Sequence, residues 1–255
     1  MALDKLVDSA QLDADLEDVA DAIRAKGGTS AQLAFPAGFV SAIGDISTGG
    51  GDPNENLIKA NNNTLTSFSD DEITTIRGYM FYGNSLLTAF DFSNVTGIQI
   101  GAFMNAGLAG DVTVPNFLNP CANYIFRACP MTSITFKSGV FRIDISAFEG
   151  CRNLQAIDIG DWGNNTILNI AGASFYNTQA LAALIIRGNT VFPLGSAFAA
   201  TCGLSTTLAT GYIYVPSSLV TLYETATNWS AYAGRISPIE GSIYETQWAN
   251  GEAIS

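Results

Sequence analysis

Residues 145–159 read Ile145-Ser146-Ala147-Phe148-Glu149-Gly150-Cys151-Arg152-Asn153-Leu154-Gln155-Ala156-Ile157-Asp158-Ile159. A small residue and a phenylalanine come first, Ala147-Phe148, followed by a turn at Gly150-Cys151-Arg152-Asn153. Ile157-Asp158-Ile159 then alternates apolar with polar, the period of a half-buried strand. That parity places Ile157 and Ile159 inside and Asp158 outside. So short a stretch cannot enclose its own apolar side, but like stretches stacked on one another bury a continuous column.

Comparing the chain with itself finds those like stretches. The step recurs at Met80-Phe81, Ala102-Phe103, Ile125-Phe126, Ser174-Phe175 and Ala197-Phe198, with phenylalanines 22, 23, 22, 27 and 23 residues apart in chain order. Apolar pairs precede the step: Ile73 and Ile76, Ile98 and Ile100, Ile143 and Ile145, Ile167 and Ile170. Strand-like segments follow it, such as Val112-Thr113-Val114, Ile134-Thr135-Phe136 and Leu184-Ile185-Ile186. With paired strands about 4.8 Å apart, Phe81, Phe103, Phe126, Phe148, Phe175 and Phe198 are expected to stack as an internal ladder. Their role is cohesion.

The unit at 145–159 resembles the BspA-like leucine-rich repeat, whose pattern is I-x-x-x-A-F-x-x-C-x-x-L-x-x-I-x-I. Cys129 stands at the same place in the preceding unit, while Asn84, Ala106 and Thr178 stand at or near it in others. The resemblance spans residues 65–215 and implies a structural role for the thiols. The family includes surface adhesins, and the likeness is specific for fold more than for function.

The front of the chain has another character. Leu12, Leu16, Val19 and Ile23 are spaced as the seam of a short amphipathic helix. Asp8 with Gln11 reads as its capping box, and Gly27-Gly28 stops it. Pro36 opens a second short helix through Phe39, Val40 and Ile43. Two readings stand: a helical hairpin packed on itself, or a seam joining copies of the chain as a homotrimer. Ser47-Thr48-Gly49-Gly50-Gly51-Asp52-Pro53-Asn54 is a flexible linker. Residues 7–12, 19–29 and 33–39, including Phe35 and Phe39, resemble N-terminal segments of structural proteins of tailed phages, found on tail, baseplate or head fibres. That resemblance implies anchoring or oligomerisation through Leu12, Leu16, Val19, Ile23, Phe35 and Phe39.

At the back, Tyr212-Ile213-Tyr214-Val215 reads as a last strand. Ser217 is placed to cap a helix with Leu219, Leu222, Tyr223 and Ala226 inward, followed by Trp229, Tyr232 and a strand at 235–239. Terminal coils need such a cap. Residues 240–255 are left uncommitted, free to reach a neighbouring subunit. The expected fold is a mainly β repeat solenoid of the leucine-rich-repeat type, about six rungs of 22–23 residues, with a small N-terminal α-helical domain and an α/β C-terminal cap. Its boundaries are a helical domain over 1–46, a linker over 47–54, the solenoid over 55–215, and cap and tail over 216–255.

Composition narrows the chemistry. Hydrophobic residues make up 47% of the 255 residues, yet no run approaches the eighteen or so that a membrane span requires. The first residues carry no basic region followed by an apolar stretch, so a soluble chain without a secretory signal is expected. Twenty-three acidic against 11 basic residues give a net charge of −12, which a nucleic-acid backbone would oppose. Histidine is absent, excluding Ser-His-Asp, Cys-His and His-based zinc sites. Cys121, Cys129, Cys151 and Cys202 form no CxxC pair and are expected to be free, buried thiols. No cofactor or metal is expected.

Carboxylates that could cleave polysaccharide are Asp144, Glu149, Asp158 and Asp161, but they are sparse and each is better explained as a solvated position on a strand or turn, so catalysis is not expected. Tyr79, Tyr82, Phe92, Tyr124, Trp162 and Tyr176 exceed what the repeat needs. Trp162 with Asn164 and Asn165, in the unit with the 27-residue spacing, is a candidate ligand surface, because inserted loops fall on functional faces. The leading expectation is a virion protein, made in the bacterial cytoplasm, docked by its helices on capsid or tail proteins and displaying the repeats to host-surface glycan or protein. The alternatives are a bacterial BspA-like surface adhesin and, third, a polysaccharide-degrading tailspike.

Overall fold

Alternating apolar side chains at each coil's end leave backbone groups that only a neighbouring strand can satisfy, and in a computed structural model of the chain they do so in parallel. The structure describes residues 64–70, 73–116, 121–138, 142–161, 169–252 and 254. The expected helices with Leu12, Leu16, Val19, Ile23, Phe35 and Phe39, the linker at 47–54, and Trp162, Asn164 and Asn165 lie outside the described residues.

Two columns of short strands run along the repeats. In the first, β1 (Ser67–Phe68) pairs with β3 (Ala89–Phe90). The same column continues as a six-stranded parallel sheet: β5 (Asp111–Val114), β6 (Ser133–Phe136), β7 (Ala156–Asp158), β8 (Ala183–Ile185), β9 (Tyr212–Val215) and β10 (Ile236–Pro238), each beside its predecessor. Val112 faces Ile134, then Ile157, Leu184, Ile213 and Ile236. The second column joins β2 (Thr75–Ile76) to β4 (Gly97–Ile98), and farther along bridges Cys121 to Ile143, Ile170 and Leu194. This is a β repeat fold with few helices.

Between the columns lies the phenylalanine step. The amide of Phe81 donates to Ala102 O, that of Phe103 to Ile125 O, of Phe126 to Ala147 O and of Phe148 to Ser174 O, all at 2.8–3.0 Å. Backbone hydrogen bonding thereby places each ring one strand spacing from the next. Phe81, Phe103, Phe126, Phe148 and Phe175 are stacked, with centroids 5.3, 5.7, 5.7 and 5.6 Å apart and planes within 17°. Phe198 ends the row tilted by 58°. All six are buried. Such pairs contribute about 0.5–1.5 kcal/mol each beyond burial alone.

Three residues after the phenylalanine, the chain turns inward. The Cys129 thiol donates to Phe103 O and the Cys151 thiol to Phe126 O, each at 3.0 Å. Asn84 fills the same place in an earlier coil, its carbonyl accepting the amides of Leu86 and Leu87. Gly107 is required at its turn, since an added methyl group would overlap the Ser85 carbonyl. The four cysteines are free and buried. Burial pushes the Cys151 thiol up to about 12 and those of Cys121 and Cys129 well above the ordinary range.

The open end is closed by aromatic side chains whose polar tips meet exposed backbone. Trp229 Nε1 donates to Phe192 O at 2.7 Å, while the Tyr223 and Tyr232 hydroxyls accept the amides of Phe192 and Phe198. Arg235 donates to the carbonyls of Gly211, Leu204 and Ser205. The helix here, α1, spans Val220–Thr225 after a 3-10 turn at Ser217–Leu219. Ser217 caps neither with its side chain; its amide donates instead to Glu240. Leu222, expected inward, is exposed, because α1 is too short to bury more than one face, and Tyr223 takes it.

Two further expectations are corrected. Residues 240–255 are not uncommitted: α2 (Ile243–Ala249) and Ile254 fold back on the outer sheet face, where Ile254, Tyr244 and Ile239 pack with Ala156, Ala183 and Ile185. Consequently Asp158, although on the opposite side from Ile157, is fully buried. Phe92, grouped above with the aromatics surplus to the repeat, is not on the surface with them but buried against Phe90 and Phe103.

Candidate functional site

Each carboxylate considered for catalysis has a specific position. Asp144 pairs with Arg142 at 2.8 Å and Glu149 with Arg127 at 2.9 Å. Asp158 pairs with Arg187 Nε at 2.7 Å beneath α2 and also accepts the Gly160 amide. Burial pushes its carboxyl up; the Arg187 guanidinium and the Gly160 amide pull it back only in part. Arg187 also donates to Tyr244 O, and Trp248 lies over both Arg187 and Lys137 at 4.2 and 4.3 Å. The group locks the C-terminal segment onto the sheet. Asp161 is exposed and lines, with Glu240, Glu245, Arg187 and Trp248, an open cleft of about 340 Å3. Among the described residues, no group of three or more Cys, Asp or Glu is arranged to hold a metal ion.

A different face collects the aromatic side chains. Residues two before the first four ladder phenylalanines are Tyr79, Gly101, Tyr124 and Ser146, and all four are left-handed, with φ of 59–61°. The coil corner imposes this conformation, which glycine adopts freely and a bulky residue adopts at a cost of roughly 1–3 kcal/mol. Packing does not explain Tyr79, which is 49% exposed. Its ring lies over Gly101, where an added methyl group would overlap it. One ring face is thereby backed by main chain.

The residues just after each phenylalanine form a parallel row. Gly83 donates to Met104 O, Asn105 to Arg127 O, Ala128 to Glu149 O and Gly150 to Tyr176 O. Those bonds align Tyr82, Met104, Arg127, Glu149 and Tyr176 along the coils. Tyr82 and Tyr176 are 48% and 45% exposed, and Tyr82 meets Tyr79 edge-on at 6.2 Å. Arg127 sits over the Tyr124 ring at 5.7 Å while paired with Glu149. Ile100 and Ile145, each just before a left-handed corner, face solvent beside the rows, whereas Ile98 and Ile143 stay inside.

The ladder phenylalanines therefore face inward as one column, and Tyr79, Tyr82, Tyr124 and Tyr176 share one outer face. Sequence reading singled out the tyrosines, took Ile100 and Ile145 only as members of the repeat's apolar pairs, and missed Met104 and Arg127. Alignment of the six units would have found them, since each occupies a constant offset from a ladder phenylalanine.

A family described as BspA type leucine rich repeat region matches the chain in six copies, over residues 58–130 and 74–205. No curated protein matches the chain.

Proposed function

The chain belongs to the BspA type leucine-rich repeat family, and on that premise we propose that it is a binding protein of the surface-adhesin kind, not an enzyme. The repeat region is a solenoid whose inner column supplies cohesion and whose coil corners present a fixed outer face. One observation carries the reading: tyrosines stand at left-handed corners where the backbone favours glycine, Tyr79 with its ring half exposed and Tyr124 partly so. Strain retained at an exposed bulky side chain points to selection for contact with something outside the chain. The ion pairing of Asp144, Glu149 and Asp158 supports a non-catalytic reading.

The test uses the full chain, fluorescently labelled and titrated onto intact bacterial and animal cells, with released reducing ends assayed in parallel. Saturable binding without sugar release is the expected result. Binding to no surface, or turnover of surface polysaccharide, refutes it. The reading in which a virion displays the repeats, as a homotrimer docked on capsid or tail proteins, rests on the resemblance of residues 7–39 alone. Finding the chain in purified particles would establish it.

A further inference from the structure

We propose that the tyrosine-bearing face binds an extended, uncharged β-linked glycan running along the coils; this rests on the adhesin reading and names its ligand class. Three observations combine. First, the Tyr79 ring is backed by Gly101 on one side and half exposed overall, which is the arrangement of a stacking platform, and Tyr82 stands perpendicular to it as a wall. The C–H face of a pyranose and the face of an aromatic ring are matched amphipathic surfaces.

Second, the tyrosine corner repeats, with the Tyr124 ring partly exposed and flanked by Arg127. Tyr79 and Tyr124 hold the same offset two coils apart, about 10 Å given strand spacing, and the Tyr82–Tyr176 row extends four coils. That interval is close to one disaccharide of an extended β-linked chain, in which alternate rings present the same face. A linear polymer matches a straight, evenly spaced row imposed by backbone hydrogen bonds.

Third, the face is electrically closed. Arg127, its central cation, is paired with Glu149 and lies over Tyr124. An acidic polymer would meet a chain of net charge −12 with that arginine already engaged, so an uncharged sugar fits and a polyanion does not. Ile100 and Ile145 offer further apolar contact beside the rings.

The experiment is affinity electrophoresis of the full chain in gels containing mixed-linkage β-glucan, glucomannan, glycol chitin or hydroxyethylcellulose, with carboxymethylcellulose as the charged counterpart. At least one uncharged polymer is expected to retard the protein, and the double variant Tyr79→Gly/Tyr124→Gly to weaken this at least tenfold. Glycine relaxes both corners, so the variant folds; Ile243→Ala, exposed on α2, is the control with unchanged retardation. Tetrasaccharides should compete and monosaccharides should not. No retardation by any uncharged polymer, retardation by carboxymethylcellulose alone, or equal retardation of the double variant overturns the proposal. If the chain binds cells undiminished after periodate oxidation of their glycans, the partner is a protein: the glycan assignment falls while the adhesin reading stands. If it binds neither cells nor polymers, both fall.

Discussion

Truncating Phe148 tests the physical basis of the fold most directly. Its ring is fully buried and stacked between Phe126 at 5.7 Å and Phe175 at 5.6 Å. Phe→Ala in a core that relaxes poorly costs about 3–5 kcal/mol. Here the upper half of that range is expected, because two ring pairs are lost and flanking coils are held apart by hydrogen-bonded strands. Against a total stability of roughly 5–15 kcal/mol, Phe148→Ala leaves a marginal protein. Phe148→Leu restores most of the apolar area and costs about 1–2 kcal/mol. Urea unfolding followed by tryptophan fluorescence reads both. The sharper measurement is a pair of double-mutant cycles. Phe126→Ala with Phe148→Ala should couple by about 0.5–1.5 kcal/mol, since they share a contact. Phe81→Ala with Phe198→Ala, five coils apart, should add. A cost for Phe148→Ala below about 1 kcal/mol, or additivity in the neighbouring pair, would refute cohesion through the ladder.

The Asp158–Arg187 pair gives a second prediction: Arg187→Met leaves a buried carboxylate and costs about 3–5 kcal/mol, whereas Asp158→Leu/Arg187→Met together is close to neutral, measured by urea melts. Because burial raises the Asp158 carboxyl above its unfolded value of 3.8, its contribution is fully present below that value and is lost as pH rises through the higher folded one. Wild type should therefore lose stability relative to the double variant on going from acid toward neutral pH, and a difference flat with pH counts against the raised value. Gly107→Ala should destabilise by more than about 2 kcal/mol through the Ser85 clash, whereas at the open, left-handed Gly83 the cost is only about 1 kcal/mol. With all four thiols buried and raised, a thiol reagent should label the native chain slowly and the unfolded chain at once; fast native labelling contradicts the packing.

Much of this architecture is local and periodic, and therefore visible in one dimension. The interval of 22–23 residues between phenylalanines equals the register of strand pairing in Asp111↔Ser133 and Ser133↔Ala156, because each coil must return the chain one strand spacing along. The cysteine offset likewise marked a turn where a side chain reaches the preceding coil's carbonyl. The tyrosines were legible as surplus to the repeat, but not as one face, since that depends on which carbonyls accept the corner amides.

Asp158 marks the division most clearly. Alternation by itself determined that Asp158 and Ile157 project from opposite sides of the strand, and it held. Whether the outer side met water was decided by α2, some 85–90 residues later in the chain, which covers that face. Its apolar contacts, Tyr244 and Ile254, carry no repeat signal of their own. Periodicity reports which side of a strand a residue takes; burial depends on what else the chain brings there, and only the folded coils, by presenting Ala156, Ala183 and Ile185 as a ready surface, give the C-terminal segment somewhere to bind.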